Sequence, residues 1–225
     1  MPLFNKQNIY ARAHMLQTNP LRTKQNNFFA LLTVFFLFIN FNALGDESTK
    51  ASIVVSDFQS TLIKVMKVAN NNKVAERYKL LQPSVDRSFH LALMTQISAS
   101  SFWRIATSDE KTQLIKGFRR MSVATLATLF SGYNGEKFYI IGEKPGPYNT
   151  TVVYSDLVKS DKSKVSIAYV TKFLKDKWKI IDIILDGGIS ELKVRRSEYR
   201  NILKKSGVRA LINLLNSKAD QLMSE

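Results

Sequence analysis

The stretch WKIIDIILDGGISELKVRRSEYRNILKKSGVRALI, Trp178 to Ile212, decides the fold. Residues 178–185 alternate. Ile181, Ile183 and Leu185 fall on one face and Asp182 on the other, as in a strand with one dry face. The turn Asp186-Gly187-Gly188 follows, and its glycines permit a sharp reversal. Ser190 is placed to cap a helix in which Glu191 and Arg195 stand one turn apart. Gly207 is placed to end that helix. Val208, Leu211, Ile212, Leu215, Ala219 and Leu222 then share one face of a second helix. This is a strand, a turn and two short helices, with no arrangement of groups that resembles a catalytic centre.

Working back from Trp178, the period stays at two. Val165, Ile167, Tyr169, Thr171 and Phe173 alternate with Ser166, Ala168 and Lys172. Residues 150–159 (TTVVYSDLVK) and 137–143 (KFYIIGE) form two earlier strands, with Gly142, Pro145, Gly146 and Pro147 as the loop between them. Short polar turns between successive strands predict an antiparallel meander of four strands. Before residue 133 the period is helical. Val54, Phe58, Leu62, Val65 and Ala69 share a face in a helix over 48–69. A second helix, 74–81, is expected to end before Pro83, a third runs from Val85 to Ile97, and a short one spans 100–105. Thr107 and Glu110 make a capping box. It opens a long helix whose stripe is Ile115, Phe118, Ser122, Leu126 and Leu129, stopped by Gly132. Helices, then sheet, then helices predict an α+β fold, with helices on one face of a curved four-stranded antiparallel sheet. Residues 46–225 read as a single domain.

The chain has 225 residues and a formal net charge of +15. Residues 1–45 hold four bases and no acid, so the remainder still carries 29 bases against 18 acids, a net +11. Such an excess favours anionic partners or surfaces. Phe28 to Ile39 (FFALLTVFFLFI) follows Arg22 and Lys24 and precedes Ala43-Leu44-Gly45. This is the order of a signal peptide, too short for a span of about 20 residues. Cleavage after Gly45 is expected, with Met1 or Met15 as the start, and export places the mature chain in the periplasm of a Gram-negative cell.

There is no cysteine, which excludes disulfides, thiol catalysis and cysteine-held metal. One histidine, His90, lies beyond residue 45, so neither a histidine metal cluster nor a serine–histidine triad is expected. Neither a Gly-x-Gly-x-x-Gly nor a P-loop is present. Asp182 and Asp186 could share a strand face and do acid–base work; roles as a helix cap and in the turn account for them better. Between 193 and 209 seven bases face one acid, Glu198. On a nucleic-acid-binding protein this would be a phosphate-contacting helix. The export signal points instead to lipid headgroups or an acidic docking surface.

The segments LQPSVDRSF (81–89), Trp103 with the Phe118 helix, LFSGYNGEKF (129–138), WKIIDIILDGGISEL (178–192) and RRSEYRNILKKSGVRALINLL (195–215) together resemble the MlaC, or toluene-tolerance, family of periplasmic phospholipid-binding proteins. The Leu-Asp-Gly-x-Ile-Ser-Glu-Leu run followed by Arg-Arg-Ser-Glu-Tyr is closer to the HpnM branch, associated with hopanoid lipids. The resemblance covers roughly Ser48 to Lys218. It implies an NTF2-like curved sheet and a lipid pocket between sheet and helices. It also implies a monomeric carrier of phospholipid between an inner-membrane ABC transporter complex and an outer-membrane lipoprotein complex, with no cofactor, no metal, no catalytic residue and no nucleic-acid partner. The candidate pocket residues are Phe118, Leu126, Leu129, Phe130, Tyr133, Ile140, Val153, Tyr169 and Ile183. Arg195, Arg196 and Arg200 are candidates for headgroup contact or docking. Enclosing two acyl chains of ~30 methylenes removes apolar surface equivalent to on the order of 20 kcal/mol, so the pocket has to be apolar and closed. Two other readings are an NTF2-like enzyme using Asp182 and a basic docking module without cargo.

Overall fold

The structure is a computed structural model and describes residues 50–185 and 188–224. The expected leader, residues 1–45, and the turn residues Asp186 and Gly187 lie outside the described residues. The elements are α1 (Ala51–Val68), a 3-10 turn (Ala69–Asn71), α2 (Val74–Ser88), α3 (Leu91–Ala99), α4 (Phe102–Ile105) and α5 (Ser108–Leu129). Then come β1 (Lys137–Gly146), β2 (Thr150–Val158), β3 (Lys164–Leu174), β4 (Lys177–Leu185), β5 (Ile189–Ser190) and α6 (Glu191–Met223).

The sheet is an antiparallel meander in the order β1-β2-β3-β4-β5. It therefore has five strands rather than the expected four. The fifth is two residues long, pairing Ile189 with Leu185 and Ser190 with Ile184, and is too short to leave an alternating pattern. Each of β1 and β4 carries one extra residue against its neighbour, Ile141 and Ile181, where the register slips. Such bulges bend a strand and strengthen its twist, which suits an open, curved sheet. They also reset the alternation. Ile180, not Ile181, stands opposite the buried Thr171, while Ile183 and Leu185 stand opposite Tyr169 and Ile167. Ile181 is buried as well, but apart from the main core. The loop expected at Gly142–Pro147 is shorter, because β1 continues to Gly146.

On the helix-covered face, α1 runs along the sheet. Glu143 of β1 accepts from the amide of Ser52 at 3.0 Å, placing a carboxylate at the positive end of α1. About two turns further on, Gln59 Nε2 donates to Ser155 Oγ of β2 at 2.8 Å, both groups being buried. From these two anchors α1 heads toward the row Phe138–Leu157–Val165.

Three helix boundaries differ from those the sequence predicts. Pro83 lies inside α2, which continues to Ser88. Its missing N–H forfeits one helical bond, but Leu81, Ser84, Val85 and Ser88 are all buried and packing outweighs the loss. The segment 85–97 is not one helix. It breaks at Phe89, which pairs with Ile180, and at His90, whose amide donates to the Ile180 carbonyl at 2.9 Å. His90 Nδ1 then accepts from the Leu93 amide and caps α3. The capping box of α5 forms as expected, but the helix ends at Leu129, before Gly132.

The buried positions of α5 are Leu114, Gly117, Phe118, Met121, Val123, Ala124 and Ala127, on α2 and α6, whereas Ile115, Ser122, Leu126 and Leu129 are half-buried. Arg119 pairs with Asp86 of α2 and Arg120 with Asp220 of α6. Arg77, only 6% exposed, donates to the carbonyls of Ala127 and Asn72. It caps the negative end of α5, and burial pushes its pKa down. α6 breaks at Gly207, which has φ 78° and ψ −174°. Beyond it Val208, Leu211, Leu215 and Ala219 are buried, as their spacing predicts.

Candidate functional site

Alternation and register place Phe138, Ile140, Val153, Ser155, Leu157, Val165, Ile167, Tyr169, Ile183 and Leu185 on the sheet face turned toward the helices. Burial grades along this face. Val153 is inaccessible and Tyr169 is 2% exposed, whereas Phe138, Leu157, Val165, Ile183 and Leu185 are half-buried. From the helical side Phe118 is inaccessible, while Leu126 and Phe130 pack against the same core half-exposed. The backbone of α5 rests on α6, α2 and α3 rather than on a strand. Leu126 and Phe130 of its last turns pack against the common core. Along β1–β3 the row Val153–Tyr169 is fully packed and the row Phe138–Leu157–Val165, two rows away, is half-buried, while on β4 Ile183, beside Tyr169, and Leu185, beside Ile167, are half-buried as well.

Of the nine residues predicted for the pocket, Phe118, Val153 and Tyr169 are core. Leu126, Phe130 and Ile183 are half-buried, Ile183 directly opposite Tyr169. Leu129 and Tyr133 are half-buried at and beyond the end of α5, with Lys67 Nζ 5.3 Å from the Tyr133 ring centre. Ile140 is on the edge strand and 37% exposed. Phe138, Leu157, Val165 and Leu185 share the helix-facing side of the sheet and are half-buried, but were not among the nine. They were legible as the positions two before Ile140, opposite Phe138, opposite Leu157 and two after Ile183.

The deep end contains buried polar groups, Thr171 among them. Gln59 bonds Ser155 and also the Tyr169 hydroxyl; burial pushes the Tyr169 pKa up to about 12, against that hydrogen bond.

The three candidate arginines do not act together. Arg195 turns inward. Its guanidinium lies 5.6 Å from the Phe118 ring centre, with Nη1 3.5 Å from both Tyr199 Oη and Met121 Sδ. Burial works against its charge, and Tyr199, Glu191 and Glu198 together outweigh burial, so its pKa stays above the ordinary arginine value. The carboxyls of Glu191 and Glu198 are pushed up, first by burial, with Arg195 opposing. Arg196 and Arg200 are exposed on the outer side of α6, and Arg196 donates to Ser100 Oγ at 2.9 Å. Arg195 and Arg196 point to different sides of α6 because adjacent helical residues diverge by roughly 100°.

Asp182 is a cap. One carboxylate oxygen accepts from the amides of Ile183 and Leu192 at 2.8 and 3.0 Å, and the other from the Ser190 hydroxyl at 2.5 Å. Ser190 Oγ accepts in turn from the Lys193 amide. Asp186, its proposed partner, lies outside the described residues. A separate open groove of ≈ 550 Å³ runs between α1, the end of α2 and the β3–β4 turn, lined among others by Lys50, Asp57, Lys64, Arg87, Phe173 and Trp178. None of the predicted pocket residues lines it. Among the described residues no helix is long and apolar enough to cross a membrane.

A structure of a phospholipid-binding protein from Ralstonia solanacearum, in complex with a phospholipid, has the same fold. Its TM-score is 0.66 and its identity 19%, over 78% of this chain and 98% of that one. No curated protein matches. The sequence model of the MlaC protein family matches residues 56–217, and this chain belongs to that family.

Proposed function

We propose that this chain is a periplasmic lipid carrier. It takes phospholipid, or a hopanoid-type lipid, between an inner-membrane ABC transporter complex and an outer-membrane lipoprotein complex. The observation that carries this reading is the set of half-buried apolar side chains on the helix-facing side of the sheet, Phe138, Leu157, Val165, Ile183 and Leu185, with Leu126 and Phe130 of α5 half-buried against the same core. Large apolar side chains left half in water are costly where they adjoin and nothing covers them. Family membership and the phospholipid held by the Ralstonia protein support the same cargo class. Phe118, Val153 and Tyr169 are fully packed, so entry of acyl chains requires the helices to part from the sheet.

Native mass spectrometry of gently purified protein tests the reading. A co-purifying phospholipid or hopanoid is expected, and its mass identifies the branch. Replacing Leu126 and Ile183 by Trp should bulk up these half-buried positions and lower lipid occupancy without loss of fold. Protein that is recovered lipid-free and does not accept lipid from vesicles would end the proposal. The enzyme reading gains no support from Asp182, whose oxygens are taken up in capping α6.

A further inference from the structure

A second surface combines an exposed aliphatic residue with a line of cations. The corner joining α3 to α5 carries α4, where Ile105 is 77% exposed. Beside it Arg104 is exposed, and Trp103 is half-buried with Lys111 Nζ 5.8 Å from its ring centre. Two contacts lay this corner along α6. Arg196 donates to Ser100 Oγ at 2.9 Å before it, and Arg209 meets Glu110 at 3.4 Å after it. Between them the outer side of α6 is a stripe. Lys193, Arg196, Arg200 and Lys204 recur at three- and four-residue intervals, all exposed. None of the four has an acidic partner among the described residues. Glu198 turns inward toward Arg195, and Glu110 is occupied by its capping box and Arg209. Asp109 is the one acid at the corner that is exposed.

We propose that the α4 corner and the outer stripe of α6 form a docking surface for an anionic phospholipid bilayer. The stripe supplies charge for phosphate headgroups. Ile105 supplies a short wedge for the acyl boundary, and Trp103 sits at the level where tryptophan favours the interface. Nucleic acid would use the cations but not the isoleucine. The proposal rests on the carrier reading only for its purpose, bringing the lipid pocket to a membrane; vesicle binding is measured independently of cargo.

Flotation of the mature chain with vesicles of phosphatidylethanolamine and phosphatidylglycerol, and with vesicles of phosphatidylcholine alone, tests it. Binding is expected to the first only, and to fall as salt rises. Each cation near an anionic surface is worth about fivefold in partitioning, so Arg196→Gln/Arg200→Gln/Lys204→Gln should weaken binding about a hundredfold. Ile105→Ser should weaken it about tenfold, as for loss of a partly inserted side chain. Lys162→Gln/Lys175→Gln, at strand turns, should bind like the parent, and all variants should melt with it. Equal binding to both vesicle types, no binding, or a stripe variant that binds like the parent overturns the proposal. So does a stripe variant that impairs only capture by a protein partner. Lipid loading of the stripe variants should stay at the parent level; lipid-free protein with intact vesicle binding would count against the carrier reading instead.

Discussion

Replacing Asp182 separates a helix cap from a general base. The carboxylate accepts from the Leu192 amide at 3.0 Å, from the Ile183 amide at 2.8 Å and from the Ser190 hydroxyl. A hydrogen bond to a charged group contributes about 1.5–3 kcal/mol. A helix cap contributes about 0.5–2 kcal/mol, and a negative charge at a helix N-terminus about 0.3–1 kcal/mol. These contributions overlap, so Asp182→Ala is expected to cost about 3 kcal/mol. Asp182→Asn keeps one acceptor oxygen for the two amides but turns an NH2 toward Ser190, and should cost about 1 kcal/mol. At roughly 2–4 °C per kcal/mol for a chain of this size, Tm should fall by about 10 °C and about 3 °C respectively. A cycle with Ser190→Ala should show coupling of about 0.5–3 kcal/mol, since the two side chains share one bond. Differential scanning calorimetry reads the order, and lipid occupancy at permissive temperature should be unchanged. Both variants melting with the parent would refute the capping role. Asp182→Asn abolishing a turnover at unchanged Tm would establish the base instead.

Glu191 and Glu198 have raised pKa values, so the folded state holds their protons more tightly than the unfolded chain does. Their contribution is full below the ordinary glutamate value of about 4.3 and is lost as pH rises through the raised values. Urea midpoints of Glu191→Gln/Glu198→Gln should therefore fall less than the parent's between about pH 4.3 and neutrality, and parallel curves would remove burial as the cause. Gly207→Ala meets no atom within 4 Å of the new Cβ, so its cost is conformational, about 1–3 kcal/mol at φ 78°. Denaturant unfolding should show it as a shifted midpoint with unchanged slope. Gln59→Leu strips the hydrogen bonds from buried Ser155 and Tyr169 and should cost about 2–4 kcal/mol in the same assay.

Much of the fold was legible where local chemistry and packing agree. The four long strands, the Thr107–Glu110 capping box, the Ser190 cap and the Gly207 break all follow from spacing within one segment. What escaped depends on a second segment. A bulge is one extra residue relative to a neighbouring strand, so nothing in KFYIIGE marks Ile141, and nothing in WKIIDIIL marks Ile181. Pro83 signals an end to α2 by itself, but the burial of Leu81, Ser84 and Val85 on both sides of it decides otherwise. The stripe on α5 was displaced because that helix is covered on two sides, by α2 and α6, which widens its buried face. The residues predicted for its stripe then fall at the margin, and Leu126 is half-open for that reason. For the arginines the period was available and decisive: Arg195 and Arg196 cannot share a face, and only Arg195 has Phe118 and Tyr199 to meet.

The same comparison sets a depth for the proposed pocket. Exposure along the inner sheet face falls from the row Phe138–Leu157–Val165 to the pair Val153–Tyr169. Between them lies Ser155, and Gln59 ties it to Tyr169. A hydrogen-bonded polar group in a dry interior is stable only while its partners stay in place, and leaving it unpaired costs about 1–3 kcal/mol. An acyl chain that pushed α1 off the sheet here would break two such contacts and replace them with none. A chain that displaced only the end of α5 would part apolar side chains and cover them again. On the carrier reading, cargo would therefore enter on the α5 side, with α1 as the fixed wall. Leu126 and Phe130, on the moving element, should change solvent protection on lipid binding, while Gln59, Ser155 and Tyr169 should not.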